Sequence, residues 1–253
     1  MRIEEPVFIL SADADWASEY CLTSFGRFLR RHDIRATLFV THPSAVVDEL
    51  FQEGCIERGI HPNFLDGSDH GDNVESILDS VFSLAPEAVC SRSHHLIGGS
   101  GIQQALRRRG IQYDSNFCGW MQEDLTPIRD CAGLIGFPIL WADDVHWSSR
   151  DSRWDFAHYQ DRFFSPGIKV ISTHPFSFSL NLASQQQYLA TRQHTQNLTA
   201  EEAERIEEKG AGVQTFLDQA VHAIKGRGFP ILTLGEAFQR YGRLLLPHSL
   251  PPA

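Results

Sequence analysis

The sequence predicts an α/β fold in which strands of a parallel sheet alternate with helices. About eight short runs have strand composition, and most are separated by segments whose apolar residues recur at helical spacing. Such alternation is typical of a parallel (β/α) barrel or of a doubly wound sheet. At 253 residues the chain has an ordinary length for such a barrel, so we expect a single domain over residues 1–253.

The first forty residues predict a β-α-β unit. The apolar run PVFIL at residues 6–10 indicates a strand, and ATLFV at residues 36–40 indicates a second one. Between them, Leu22, Phe25 and Leu29 recur at the spacing of one helical face. The chain therefore begins with the repeating unit of a parallel sheet.

The same alternation continues to the C-terminal part. The further strand-like runs are RGIHPNF, EAVCSR, IQYDSN, LIGFPILWADD, IKVISTH and PILTL, and helical patterns occur in NVESILDSVFSLA, IQQALRRRG and the apolar stripe from Val213 to Ile224. Residues 176–205, rich in Gln, Ser and Thr, lack a clear period and predict either a surface loop with a helix or an excursion over one face of the fold. Within this segment, Thr199 and Glu202 have capping-box spacing, which indicates a helix start.

Composition argues against nucleic-acid binding and against a disulfide scaffold. The 22 basic residues against 32 acidic ones give a formal charge of -10, and there is no long basic run. The five cysteines are scattered and never have CxxC spacing, as expected in a reducing compartment. No apolar stretch approaches the roughly 18 residues of a membrane span. We therefore expect a cytoplasmic protein with no membrane span.

Polar residues collect where the predicted strands end. Asp13 and Asp15 follow the first strand and, being two apart, point to the same side. Later strand-like runs end at His61, at Arg92, at the pair Asp143 and Asp144, and at His174. Each residue alone has a structural interpretation, such as a helix N-cap, a turn histidine, a surface ion pair or a core histidine. Together they predict a site at the carboxyl end of the sheet.

A divalent metal ion would explain the pair of aspartates. Catalytic zinc takes three protein ligands, with imidazole nitrogen and carboxylate oxygen among the preferred donors. Asp15 and His61 supply two ligands, and the third is His70 or His94. Asp13 is then free to act as a base toward water whose pKa the ion has lowered.

Two further residues complete a hydrolytic arrangement. Arg92 near Asp13 favours the ionised base, and His174 can protonate a leaving group. The set predicts metal-assisted hydrolysis of an acyl or amide bond.

The order SADAD…RATLFVT…GIHPNF…SRSH…WADD…STHP…ILTL resembles the NodB-type polysaccharide deacetylases of carbohydrate esterase family 4, from about Val7 to Leu234. The resemblance implies a distorted (β/α) barrel of seven or eight parallel strands, one zinc or similar ion, and hydrolysis of N-acetyl or related groups on sugars. It also implies roles, in which Asp13 is the base and Asp15 a metal ligand. The remaining implied roles are the first metal histidine for His61, the arginine of the Arg-x-Pro motif for Arg92 and the catalytic acid for His174.

The sequence departs from the family pattern at two places. Leu65 stands where the family has its second metal histidine, so His70, Asn63 or His94 is expected to fill that place. His94 itself replaces the proline of the Arg-x-Pro motif. These departures suggest a divergent branch, similar to deacetylase-like proteins of O-antigen and surface-polysaccharide assembly.

Substrate contacts are also expected from a few residues. Asp144, with Trp141 or Trp147, corresponds to the family's Asp-and-Trp motif, and Asn63 is a further candidate. Among the tryptophans at 120, 141, 147 and 154, those flanking ADDVH are the better candidates for stacking on a sugar ring.

We therefore expect a metal-dependent deacetylase of a small-molecule or lipid-linked acylated sugar, such as a nucleotide- or lipid-linked precursor of surface polysaccharide. One alternative is hydrolysis of another C–N bond, in a formyl group or cyclic amide. The other is a non-catalytic carbohydrate-binding relative, which the missing histidine at position 65 favours and which a retained base and acid oppose.

Overall fold

Ten strands form one curled sheet in the computed structural model, which describes residues 2–245, so both ends of the predicted interval 1–253 lie outside the described residues. The strands are β1 (Pro6–Asp13), β2 (Ala36–Val40), β3 (Ile56–Ile60), β4 (Cys90–Ser91), β5 (Tyr113–Asp114), β6 (Ile128–Arg129), β7 (Ile135–Gly136), β8 (Ile139–Ala142), β9 (Gly167–Thr173) and β10 (Ile231–Leu232). Their order is β6-β7-β5-β4-β3-β2-β1-β9-β8, and β10 also pairs with β1.

Helices connect these strands and flank the sheet. They are α1 (Glu19–His32), α2 (Ala45–Gln52), α3 (Val74–Leu84), α4 (Ser100–Arg108), α5 (Asp143–Ser148), α6 (Gln160–Phe163), α7 (Pro175–Ser179), α8 (Gln185–Thr191), α9 (Ala200–Ile206), α10 (Val213–Gly226) and α11 (Leu234–Ala237). The capping box predicted at Thr199 is confirmed, since its side chain accepts from the backbone of Glu202 at the start of α9. No helix among residues 2–245 is long and apolar enough to cross a membrane.

The predicted fold class is confirmed, although the strands differ in number and length from the expectation. The structure has ten strands rather than seven or eight, and β6 pairs antiparallel with β7 while the other ladders are parallel. The runs EAVCSR and IQYDSN predicted full strands, but β4 and β5 pair over only two residues each. An apolar, β-branched composition indicates that residues are buried, but the number of residues that pair depends on the length of the neighbouring strand.

The longest strands are buried along almost their whole length. Every residue of β1 except Pro6 is buried, and every residue of β9 is buried. The apolar stripe predicted from Val213 to Ile224 is the buried face of α10. Phe216 of this face stacks on Trp141 with ring centroids 4.8 Å apart. This packing forms the main core and holds the strand ends in place.

The register of the parallel strands brings the predicted site residues to one rim. Ala12 pairs with Thr173, so Asp13 and His174, which directly follow these two residues, are neighbours. In the same way, Ile60 pairs with Ser91, and His61 and Arg92 follow directly. Side chains that lie far apart in the sequence therefore meet at the carboxyl end of the sheet.

Candidate active site with a metal-binding cluster

A large cavity lies at this rim. Its volume is about 1190 Å³, and one part of its wall contains Asp13, Asp15, His61, His94 and His174. Another part comes from α8 and the turn that follows it. The polar strand ends and the Gln-rich segment thus enclose a single space.

Asp15, His61 and His94 form a cluster with the donors of a catalytic metal site. Asp15 Oδ1 lies 3.1 Å from His61 Nε2 and 3.1 Å from His94 Nδ1. Ligands held about 2.0 Å from a tetrahedral zinc ion are separated by about 3.3 Å, so these spacings fit a shared ion. Three protein ligands also leave one coordination position open, as in catalytic zinc sites.

The second nitrogen of His61 supports the same interpretation. His61 Nδ1 is buried, has no hydrogen-bond partner among the described residues, and lies 4.0 Å from Asp13 Oδ1. Histidines that bind metals commonly direct their other nitrogen toward a carboxylate. The ring is therefore oriented with one nitrogen toward the cluster and the other toward the predicted base.

Asp15 is held as a carboxylate by its neighbours. Burial alone would raise the pKa of Asp15, but hydrogen bonds to His61 and His94 and the nearby charge of His174 outweigh burial and hold that pKa well below its usual value. The backbone at Asp15 and Trp16 is left-handed, with φ of 44° and 55°. This conformation is rare for a bulky residue such as Trp16 and indicates a strained loop at the cluster.

His70, named as a third-ligand candidate beside His94, lies away from the cluster. Its Nε2 is 2.8 Å from the carbonyl oxygen of Thr41, and its Nδ1 accepts from the backbone of Asn63. Both ring nitrogens are therefore used within the surrounding loops. The structure brings the alternative candidate, His94, to Asp15 and His61.

A tight turn after β4 places His94. The backbone N–H of His94 donates to the carbonyl of Pro62, and the two following residues, His95 and Leu96, both have φ of 55°. This left-handed turn follows Arg92 directly. The residue that replaces the proline of the family motif is thus the one that completes the cluster.

Arg92 is fully buried and holds Asp13. Its Nη1 donates to Asp13 Oδ1 at 2.8 Å, and its other hydrogen bonds reach the side chains of Ser11, Ser115 and Ser172 and the carbonyl of Ser115. The guanidinium also lies 4.5 Å from the ring centroid of Phe39. Because these partners enclose its guanidinium, Arg92 positions the base and does not reach the cavity.

His174 forms a hydrogen-bonded pair with Asp143. Its Nδ1 lies 2.7 Å from Asp143 Oδ1, and its backbone N–H donates to Asp143 Oδ2 at 2.8 Å. His174 Nε2 faces the cavity, 3.9 Å from Asp13 Oδ2. Burial opposes protonation of the ring, but Asp143 and the charge of Asp15 outweigh it and raise the pKa of His174 well above its usual value. This arrangement favours a protonated His174 as a general acid.

Sequence reasoning placed both Asp143 and Asp144 at a strand end but assigned a role only to Asp144. Asp143 has no exposed surface, whereas the exposed Asp144 lines the cavity. The adjacent acids WADD gave a signal, since Asp143 lies two residues after the buried Trp141 and alternation places such residues on the same side. Only the structure shows that Asp143, at the end of β8, pairs with His174.

The structure does not bring two of the predicted substrate contacts, Trp141 and Asn63, to the cavity. Trp141 is fully buried and donates from Nε1 to His146 Nδ1, so it belongs to the core. Asn63 accepts from the backbone of Leu65 and stabilises its own loop, and it does not line the cavity. Trp147 does line the cavity, where it stacks on Tyr188 with ring centroids 5.6 Å apart.

Comparison with known proteins identifies the family of this chain. The family model described as WbmS-like polysaccharide deacetylase matches residues 10–192. A structure from Bordetella bronchiseptica, provisionally described as a polysaccharide deacetylase involved in O-antigen biosynthesis, has 28% identity and a TM-score of 0.75, covering 85% of this chain and 90% of the other. Among curated proteins, none matches in sequence.

A more distant structure shares the fold. A protein from Mycobacterium smegmatis, provisionally described as a polysaccharide deacetylase, has a TM-score of 0.58 at 14% identity, covering 100% of this chain and 96% of the other. The resemblance predicted from the sequence is confirmed by the family model, which spans most of the chain. The chain therefore belongs to the WbmS-like polysaccharide deacetylases and is a carbohydrate deacetylase-like hydrolase.

Proposed function

We propose that the protein is a metal-dependent deacetylase that removes an N-acetyl or related acyl group from a sugar. The observation that carries the proposal is the cluster of Asp15, His61 and His94, with the base Asp13 and the acid His174 directly beside it. Zinc is the first candidate for the ion because the donor set is two imidazoles and one carboxylate.

The chain's own residues supply the proton transfers. When bound, a divalent ion at this cluster supplies Lewis-acid activation of water and of the acyl carbonyl. Asp13 accepts a proton from the attacking water through Oδ2, because Oδ1 is held by Arg92. His174 donates its Nε2 proton to the amide nitrogen as the C–N bond breaks, while Asp143 keeps the ring oriented through Nδ1.

The proposed substrate is a nucleotide- or lipid-linked precursor of surface polysaccharide, acted on in the cytoplasm by one catalytic domain. The Bordetella relative described as involved in O-antigen biosynthesis supports this substrate class. All five cysteines are free, which agrees with a reducing compartment. Hydrolysis of a formyl group or cyclic amide uses the same residues and differs only in the substrate.

The metal content of the purified protein tests the ligand assignment. We expect about one zinc, cobalt or nickel ion per chain, measured by plasma mass spectrometry, in the wild type and in His70→Ala. Asp15→Asn and His94→Ala should each lose the ion, because a catalytic zinc site depends on all of its few protein ligands. Loss of the metal in His70→Ala with retention in His94→Ala would show that the ligand assignment is wrong.

Acetate release from acylated sugars then tests the activity. Metal-loaded wild-type protein should release acetate, and Asp13→Asn should keep the metal but lose turnover. A metal-loaded protein that binds acylated sugars without hydrolysing any of them would instead be a binding protein.

A further inference from the structure

The acidic residues and the arginine that line the cavity come from different segments of the chain. The three acidic residues that line it, Asp13, Asp15 and Asp144, lie beside the proposed metal cluster or beside His174. No acidic residue lines the wall formed by α8 and the turn after it, whereas Arg192 does. Arg192 is also the one Lys or Arg among the described residues that line the cavity.

Arg192 is available to a ligand. It begins the 3-10 turn Arg192–His194, and its side chain is exposed. Within residues 2–245, no carboxylate lies within ion-pair distance of its guanidinium, and the guanidinium donates no hydrogen bond. A guanidinium that faces a cavity without a protein partner keeps its full capacity to bind an anion.

The wall that carries Arg192 is fixed on both sides of it. On one side, Tyr188 stacks on Trp147 of α5. On the other side, the backbone N–H of Ser18 donates to the carbonyl of Thr195, and the hydroxyl of Ser18 donates to the carbonyl of Leu198. Because Ser18 lies three residues after Asp15, these bonds connect the wall to the loop that carries the proposed metal ligand.

The whole cavity is larger than an acetylated monosaccharide needs. Pockets for drug-sized ligands measure roughly 300–1,000 Å³, and this cavity measures about 1190 Å³. The Trp147 and Tyr188 rings line the space and offer apolar faces to a sugar. Gln193 and Gln196 also line the wall near Arg192 in the sequence. The Gln193 amide donates to the carbonyl of Ala190, and Gln196 adds an amide donor.

We propose that Arg192 binds an oxyanion on the substrate, a phosphate or a carboxylate attached to the acylated sugar, and so selects charged acylated sugars over neutral ones. This inference rests on the proposed deacetylase function, because it assumes that the acylated end of the sugar lies beside the proposed metal cluster. The planar fork of the guanidinium matches both oxyanions, so the experiment must distinguish them.

Binding of four defined probes, measured by isothermal titration calorimetry, tests the proposal. The probes are UDP-N-acetylglucosamine, N-acetylglucosamine 1-phosphate, N-acetylglucosaminuronic acid and neutral N-acetylglucosamine. We expect the wild type to bind at least one charged probe about tenfold or more tightly than the neutral sugar. Preference for the phosphates identifies a phosphate site, and preference for the uronic acid identifies a carboxylate site.

Variants assign this preference to Arg192. Arg192→Gln should weaken the preferred charged probe about 10- to 100-fold, the range expected for a charge-assisted hydrogen-bonded pair, and leave the neutral sugar unchanged. Arg192→Lys should keep part of the preference. The matched control is Arg205→Gln, an exposed arginine on α9 that does not line the cavity.

Several results would overturn the inference. They are the absence of any charge preference in the wild type, an equal loss for charged and neutral probes in Arg192→Gln, and an equal effect of Arg205→Gln. The readout is binding, so it is separate from the proposed activity. If acetate release from the charged probes did not depend on Arg192, this inference alone would be rejected. If the protein bound charged probes selectively but held no metal and showed no turnover, the deacetylase function alone would be rejected.

Discussion

Replacing Asp143 with asparagine tests the acid–base arrangement most directly. The fully buried carboxylate lies within 2.7–2.8 Å of four donors, the hydroxyl of Thr173, the backbone N–H of Asp144, and both the N–H and ring Nδ1 of His174. A carboxylate accepts on both oxygens, but an amide accepts on only one and donates from the other position. Asp143→Asn therefore places its NH₂ group against two groups that also donate.

The cost follows from these contacts. If the NH₂ group faces the ring, Nδ1 of His174 must accept a hydrogen bond, so the ring is neutral with its single proton on Nε2. The protonated ring that Asp143 stabilises through Nδ1–H, which is the form that acts as a general acid, is then disfavoured. A hydrogen bond to a charged partner contributes about 1.5–3 kcal/mol, and the same replacement in a serine-protease triad lowers kcat about 10⁴-fold. We expect kcat to fall about 10²- to 10⁴-fold with KM changed less than about threefold, and the free energy of unfolding to fall by about 1–3 kcal/mol.

Two measurements check this prediction. Acetate release by metal-loaded protein gives kcat and KM, and long-range ¹H–¹⁵N NMR spectra report the tautomer of His174 without any substrate. Asp161→Asn, at an exposed position on α6, is the matched control. The reasoning would be refuted by a folded, metal-loaded Asp143→Asn protein that keeps most of its kcat, or by an unchanged His174 tautomer.

Three further predictions concern buried residues around the site. Burial, with the charge of Asp130, raises the pKa of Asp114 to about 7. Between about pH 4 and pH 7 the folded state therefore keeps a proton that the unfolded state loses, so the free energy of unfolding falls as the pH rises, by at most about 4 kcal/mol. Urea unfolding at several pH values should show a smaller fall for Asp114→Asn than for the wild type. Arg92→Lys should lower kcat about 10²-fold or more, because an ammonium cannot reproduce the fork that holds Asp13, and near-wild-type turnover would contradict this. Trp141→Ala should lower the free energy of unfolding by about 3–5 kcal/mol in chemical denaturation, and a loss below about 1 kcal/mol would contradict its place in the core.

The sequence predicted the parts of the fold that depend on local pattern. The apolar runs of β1, β2 and β9 and the stripe of α10 appear where they were expected, because burial of one strand or one helical face leaves a regular period in the residues. The short ladders of β4, β5 and β7 left a weaker signal. Each of these strands pairs over only two residues, which is too short to leave a regular apolar period in the sequence.

The approximate location of the site was also predictable. Asp13, His61, Arg92 and His174 each follow a strand-like run, and parallel strands bring such residues to one rim. That inference needs only the order of strands and polar residues along the chain.

The sequence by itself therefore determined the fold class, the family resemblance and the rim at which polar residues gather. The tertiary structure alone placed His94 rather than His70 beside Asp15, and Asp143 behind His174. The physical reason is that the direction of a side chain depends on the conformation of its turn and on its tertiary contacts. The left-handed residues after His94 bring its imidazole to the cluster, and the hydrogen bonds of both His70 ring nitrogens hold the other imidazole away from it. Neither the turn nor these hydrogen bonds can be read from residue spacing along the chain.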